Sequence, residues 1–353
     1  MDVPPHADRP PIRQPPTPQR IGVVGTGSFG TALALHWTQA DRDVVLWSRR
    51  PAFAETLRTA RVNEAYLPGV ALPEALRITD DLRDLRDCEA IVVAVPSHGF
   101  REVVRQLLSA LPPNRVPVVV SATKGIETES LARMSQVTFE EAIATDRNVH
   151  FAVLAGPSFA SELAQGVPTA AVLACGDGDL AQRLRDLLAT KVFRIYSSTD
   201  VVGVELGGTT KNVIAIAAGV LTGLGLGQNT QAALITRGLH EVTRLCLACG
   251  GQPRTLAGLA GLGDLVLTCT GGLSRNRQLG LALARGRTVE DALAGSMVAE
   301  GVRNSLAVAR LAARQRVEMP ITEQMVQVLH HGKSPRLAVE ELMMRAPKEE
   351  AEL

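Results

Sequence analysis

From Arg20 to about Tyr196, short runs rich in β-branched residues alternate with amphipathic segments; the runs are RIGVV, DVVLW, AIVVAV, VPVVV, VHFAVL, TAAVLA and KVFRIY. That alternation predicts a mainly parallel, doubly wound sheet with crossover helices. Beyond Val204 the β-rich runs stop. Ala- and Leu-rich stretches with helical spacing follow, among them TQAALITRGLHEVTRLCLA, NRQLGLALARG and RNSLAVARLAARQ. They predict an all-helical second unit. The expected organisation is an α/β domain over residues 20–203 and a helical domain over 204–345. The flanks, a proline-dense 1–19 and a short 346–353, read as disordered tails, and the first lacks the apolar core of a signal peptide.

Composition narrows the function classes. The chain has 353 residues, 46% of them hydrophobic and 21% charged, which is enough for two domains with cores of their own. A net charge of +1 with 3% aromatic residues offers neither a basic footprint nor a base-stacking platform, so nucleic acid is not an expected partner. The uncharged run from Asn212 to Thr236 is interrupted by glycines and by QNTQ. Its continuous apolar part falls short of the ~20 residues a membrane span requires. Five scattered cysteines fit a reducing, cytoplasmic compartment better than a disulfide framework. Cys246 and Cys249 have CxxC spacing but close a helical run and lack a second pair, so they read as packed cysteines rather than a metal site.

The first strand runs into Gly25-Thr26-Gly27-Ser28-Phe29-Gly30 and then a helical segment. A GxGxxG in that context is the phosphate-binding turn of a Rossmann-type domain. Gly25 permits the tight turn, Gly27 lets a pyrophosphate reach the backbone, and Gly30 lets helix and strand pack closely. The second strand ends in Ser48-Arg49-Arg50, where an NAD-specific site usually places an acid. Two arginines there favour a 2′-phosphate, so NADPH is expected to serve at least as well as NADH.

Ligands of such sheets bind beyond the carboxyl ends of the strands. VPVVV delivers Lys124 to that edge, and VHFAVL is followed by Ala155-Gly156-Pro157-Ser158-Phe159-Ala160, whose Ser158 could cap the next helix. In the helical unit, Ser274-Arg275-Asn276 sits where a glycine-containing loop enters a helix. Arg275 and Arg277 at a helix N-terminus oppose the macrodipole unless an anion binds there.

VELGGTTKNVIAIAAG contains Lys211, the one charged side chain between Glu205 and Arg237, placed one to two turns into an expected core helix. Asp264, the only acid between Leu256 and Glu290, is its natural partner, because a buried acid needs one. Hydride transfer to a carbonyl leaves an alkoxide, and a positioned ammonium can stabilise that charge and donate the proton.

GTGSFGTALA, LPGVALPEAL, SATKGIE, AGPSFASELA, ELGGTTKNVIAIAAG, GLGDLVLTCT, SRNRQLG and VAEGV stand in the order found in the bacterial NAD(P)-dependent glycerol-3-phosphate dehydrogenases, which the chain resembles from about Arg20 to near Met344. The resemblance implies reversible reduction of dihydroxyacetone phosphate to sn-glycerol 3-phosphate, supplying glycerophospholipid synthesis. It implies Lys211 as proton donor and acceptor, with Asp264 orienting it. It places Lys124, Gly156, Ser158, Lys211, Asp264, Ser274, Arg275 and Asn276 on the substrate. Along the dinucleotide it places Ser28, Phe29, Arg49, Arg50, Tyr66, Lys124, Ala160, Arg275, Val298 and Glu300. No metal is implied, and a homodimer is compatible with the resemblance. Two other readings fit parts of the pattern: a related hydroxyacid dehydrogenase or ketopantoate reductase, and a catalytically silent NADPH-binding sensor.

Overall fold

The computed structural model describes residues 19–293, 299–346 and 349. The flanking tails therefore lie almost wholly outside the described residues, as does Val298. The described residues contain ten strands: β1 (Arg20–Val24), β2 (Asp43–Trp47), β3 (Val62–Asn63), β4 (Leu67–Ala71), β5 (Arg77–Thr79), β6 (Ala90–Val93), β7 (Val118–Ser121), β8 (His150–Ala155), β9 (Thr169–Cys175) and β10 (Phe193–Ser198). Eight of them form one sheet in the order β10-β9-β8-β7-β6-β1-β2-β5, and β3 and β4 pair as a separate ribbon. Every β-branched run of the sequence becomes a sheet strand.

All neighbours in the sheet are parallel except β8 and β9, between which the chain turns back on itself through the helix Ala160–Ala164. Because β6 returns to the other side of β1, the chain reverses its winding between those two strands, and a crevice opens there at the carboxyl ends. Apolar clusters cover both faces; Ile21, Leu33 and Leu46 belong to one, Val24, Ile91 and Phe100 to the other. Two-sided burial explains why these strands read as nearly continuous apolar runs.

The helical unit is built on one helix, Val201–Gly223, in which 19 of 23 residues are buried. A helix apolar all round must be an inner rod, and this one packs on the helices Gln228–Ala248, Asp264–Thr270, Arg275–Ala284 and Glu300–Gln315. The rod starts at Val201, so the expected boundary at 203/204 falls inside it, and Lys211, its eleventh residue, lies about three turns in rather than one to two. The reason is Asp200, whose carboxylate accepts from Gly203 N (2.9 Å), Gln252 N (2.9 Å) and Thr255 Oγ1 (2.6 Å) and so caps the helix ahead of the apolar run. Among the described residues no helix is long and apolar enough to cross a membrane.

Candidate active site

The glycine-rich turn has the geometry its sequence predicts. Gly25 has φ of +119°, and a Cβ there would lie 2.7 Å from the Ala94 carbonyl at the end of β6. A Cβ on Gly30 would strike the Gly25 carbonyl at 2.1 Å, whereas nothing lies within 4 Å of one built on Gly27. The first and last glycines are consumed by packing, and the middle one leaves open space over the start of the helix Ser28–Gln39, whose N-terminus has no side-chain cap. Open backbone at an uncapped helix N-terminus suits a pyrophosphate. Asn63 holds the turn from behind, donating to Thr26 O (3.0 Å) and Thr31 Oγ1 (2.7 Å).

Arg49 and Arg50 are exposed beyond β2. The Arg50 guanidinium lies 4.5 Å from the centroid of the Phe53 ring, which in turn meets Tyr66 edge-on at 6.0 Å. Arg50 and Tyr66 thus belong to one aromatic-cationic wall beside the turn.

At the centre of the crevice Asp264 lies between two lysines. Lys211 donates from Nζ to Asp264 Oδ1 and to Thr268 Oγ1 (2.9 Å), while Lys124 Nζ lies 3.1 Å from Asp264 Oδ2. Thr268 passes its own proton to the Asp264 carbonyl at 2.6 Å. Asp264 follows directly on a π-helical turn, Leu259–Gly263, closed by Gly263 N donating to Gly258 O at 3.1 Å. Such wide turns re-aim the next side chain and recur at functional sites. Burial lowers the Lys211 ammonium to about 7; Asp264 opposes the shift and Lys124 adds to it.

The second anion-directed element is the start of the helix Arg275–Ala284. Ser274 caps it, accepting from Arg277 N at 3.2 Å. Arg275 reaches across to the glycine-rich turn, with Nη2 3.4 Å from Ser28 Oγ. Arg277 points elsewhere, toward Thr222 Oγ1 at 3.4 Å, so only one of the two arginines lies at the crevice. Asn276 ties the loop down: its Nδ2 donates to Asn212 Oδ1 (3.1 Å) and its Oδ1 accepts from Gly301 N (3.0 Å). Gly301 follows Glu300, whose carboxyl is raised to about 7 by burial despite the nearby charges of Lys124, Arg275 and Lys211. By formal charge three cations, Lys124, Lys211 and Arg275, therefore meet two acids, Asp264 and Glu300. The surplus is positive.

One expectation changes here. Ser158 does not cap the following helix; Phe159 occupies the N-cap position, and the Ser158 hydroxyl donates to Gly156 O at 3.1 Å, bracing the loop in which Gly156 adopts φ of +149°. Ala160 is the first residue of that helix. Three residues of the site went unremarked in the sequence, Asn63, Asn212 and Thr268, all uncharged. Thr268 carried a usable signal, since it stands four residues after Asp264 and so on the same helix face. The cysteines are all free, and burial raises Cys246 to about 12, which leaves it an inert thiol.

A dinucleotide turn facing a buried lysine–carboxylate pair defines a nicotinamide-dependent dehydrogenase of the two-domain, Rossmann-plus-helical class. The sequence profile of the NAD-dependent glycerol-3-phosphate dehydrogenase N-terminus matches residues 20–181, and that of the same family's C-terminus matches residues 200–340. The chain is 52% identical over 334 residues to glycerol-3-phosphate dehydrogenase [NAD(P)+] of Oleidesulfovibrio alaskensis, covering 94% of this chain and 100% of that one. It is 50% identical to the protein of the same description from Geobacter sulfurreducens, covering 94% and 99%. A crystal structure of glycerol-3-phosphate dehydrogenase from Coxiella burnetii superposes with a TM-score of 0.87 at 40% identity, covering 93% of this chain and 99% of that one. The chain belongs to the NAD-dependent glycerol-3-phosphate dehydrogenase family.

Proposed function

We infer that the protein interconverts dihydroxyacetone phosphate and sn-glycerol 3-phosphate with NAD(P)H, in lipid metabolism, and that Lys211 exchanges the proton. The observation that carries the second part is the sharing of Asp264 between Lys211 and Lys124 at the mouth of the glycine-rich turn. When bound, the nicotinamide supplies or accepts the hydride. In reduction, Lys211 gives a proton from Nζ to the developing alkoxide, and Asp264 and Thr268 hold that nitrogen in place. A lysine lowered toward neutrality suits a group that must donate in one direction and accept in the other. Lys124 and Arg275 balance the substrate phosphate, and Asp264 keeps the paired ammonium groups from repelling each other out of the crevice.

NADPH is proposed as the better cofactor because Arg49 and Arg50 follow β2 where a ribose-binding acid would otherwise stand. Five free cysteines fit a cytoplasmic setting. One assay tests the reading: reduction of dihydroxyacetone phosphate with each cofactor, with ketopantoate as competitor substrate. The expected result is turnover of the triose phosphate with kcat/KM for NADPH at least equal to that for NADH. Preferred turnover of ketopantoate would overturn the substrate assignment, and a strong NADH preference would overturn the role of the arginines.

A further inference from the structure

A cavity of about 620 Å³ lies among the helices Val201–Gly223, Gln228–Ala248, Pro320–His330 and Pro335–Met343. Leu221, in its wall, is ten residues and thus about 15 Å along the rod from Lys211, so the cavity is separate from the crevice. Its volume is in the range of small-molecule sites, about 300–1,000 Å³. Its lining divides by chemistry. Leu221, Leu234, Ile321, Val339 and Leu342 supply an apolar floor, and Arg237, Arg244, Arg316 and Arg345 stand against only Glu241 and Glu318.

The two acids are already engaged. Glu241 accepts from Ile321 N (2.6 Å), Thr322 N (3.3 Å) and Thr322 Oγ1 (3.3 Å), which closes the start of the helix Pro320–His330. The Glu318 carboxylate pairs with Arg345 at 3.4 Å, and Arg244 donates to the Glu318 carbonyl at 3.0 Å. Arg237 and Arg316 have neither a side-chain hydrogen bond nor an ion pair among the described residues, although Arg237 is half-buried beside the apolar floor. An unpaired guanidinium half-buried beside a hydrocarbon surface, with the exposed Arg316 at the rim, suits an anion that carries its own apolar part.

We propose that this cavity binds a single-chain amphipathic anion, with its head between Arg237 and Arg316 and its hydrocarbon tail on Leu221, Leu234, Ile321, Val339 and Leu342. A carboxylate and a phosphate monoester share the required head-group chemistry. Calorimetric titration of the full chain, below the micelle threshold, with laurate, dodecyl phosphate, dodecanol and dodecyltrimethylammonium separates the terms. Laurate or dodecyl phosphate is expected to bind at least tenfold more tightly than dodecanol, with the cation weakest, and the tighter of the two anions identifies the head group. The double variant Arg237→Gln/Arg316→Gln should lose at least tenfold in anion affinity while its Tm and its NADPH affinity stay at wild-type values. Equal binding of laurate and dodecanol, or full retention of anion binding by the double variant, overturns the proposal. So does a dimer in sedimentation velocity that Leu342→Glu dissociates, combined with no binding of either anion, because the cavity would then be a self-association face.

Discussion

Two buried acid–base groups lie six residues apart on the same helix, and they differ in what they leave unsatisfied. Glu205 accepts from Ser135 N (2.7 Å), from Ser135 Oγ (2.8 Å) and from Arg133, so one acid meets one base and the start of the helix Met134–Ala144. Burial still raises its carboxyl, against the pull of Arg133 and Ser135. Lys211 belongs to the other kind of group. Two lysines share one carboxylate, with Arg275 close by, and charge is left over for a ligand. A closed network fastens the helix to the sheet domain; an open one invites chemistry.

The contrast can be broken by mutation. Lys211→Ala should lower kcat roughly a hundred- to ten-thousand-fold, the usual range for loss of a positioned acid–base group, while NADPH affinity by fluorescence titration is kept. Retention of most of kcat would assign the proton to another group. Glu205→Ala should do the reverse: a loss of about 3 kcal/mol in denaturant unfolding, the lower end for breaking a buried pair because Arg133 is only half-buried, with kcat per folded molecule within a few-fold of wild type. A stable but inactive Glu205→Ala would place both clusters in catalysis. Arg275→Ala should raise KM for dihydroxyacetone phosphate about tenfold, near the lower end for a charge-assisted contact because the side chain is exposed. An unchanged KM would remove it from the anion site.

The smallest effect is the sharpest in sign. With the Lys211 ammonium lowered to about 7, reduction needs the protonated form and kcat should fall as pH rises through 7. Oxidation needs the free amine and should rise over the same interval. Parallel profiles in the two directions would show that Lys211 is not the titrating group.

The sequence made the sheet legible because burial on both faces wrote its strands as continuous apolar runs. It did not reveal β4, LPGVA, whose Pro68 and Gly69 are exposed, nor the three-residue β5 at the sheet edge. In the site, Lys211 and Asp264 were conspicuous as lone charges in apolar stretches. Asn212 and Thr268 were not, since an amide or hydroxyl in a helix is common and only packing shows what it holds. The Ser158 cap failed for a related reason: the helix begins one residue later than a Ser158 cap requires, with Phe159 at the N-cap, and the hydroxyl bonds its own loop at Gly156 O.

The rod and the helix Arg275–Ala284 touch through their backbones. A Cβ on Gly219 would lie 2.0 Å from Arg277 O, and one on Gly280 equally close to Ile216 O. The spacing between these helices is therefore set by main-chain thickness, with no rotamer able to absorb an error. Lys211 rides on one helix and Asn276 on the other, so this seam acts as a gauge for the distance between the proposed proton donor and the loop at Ser274. A single added methyl group there would alter catalysis through distance, without touching any residue proposed to meet the substrate.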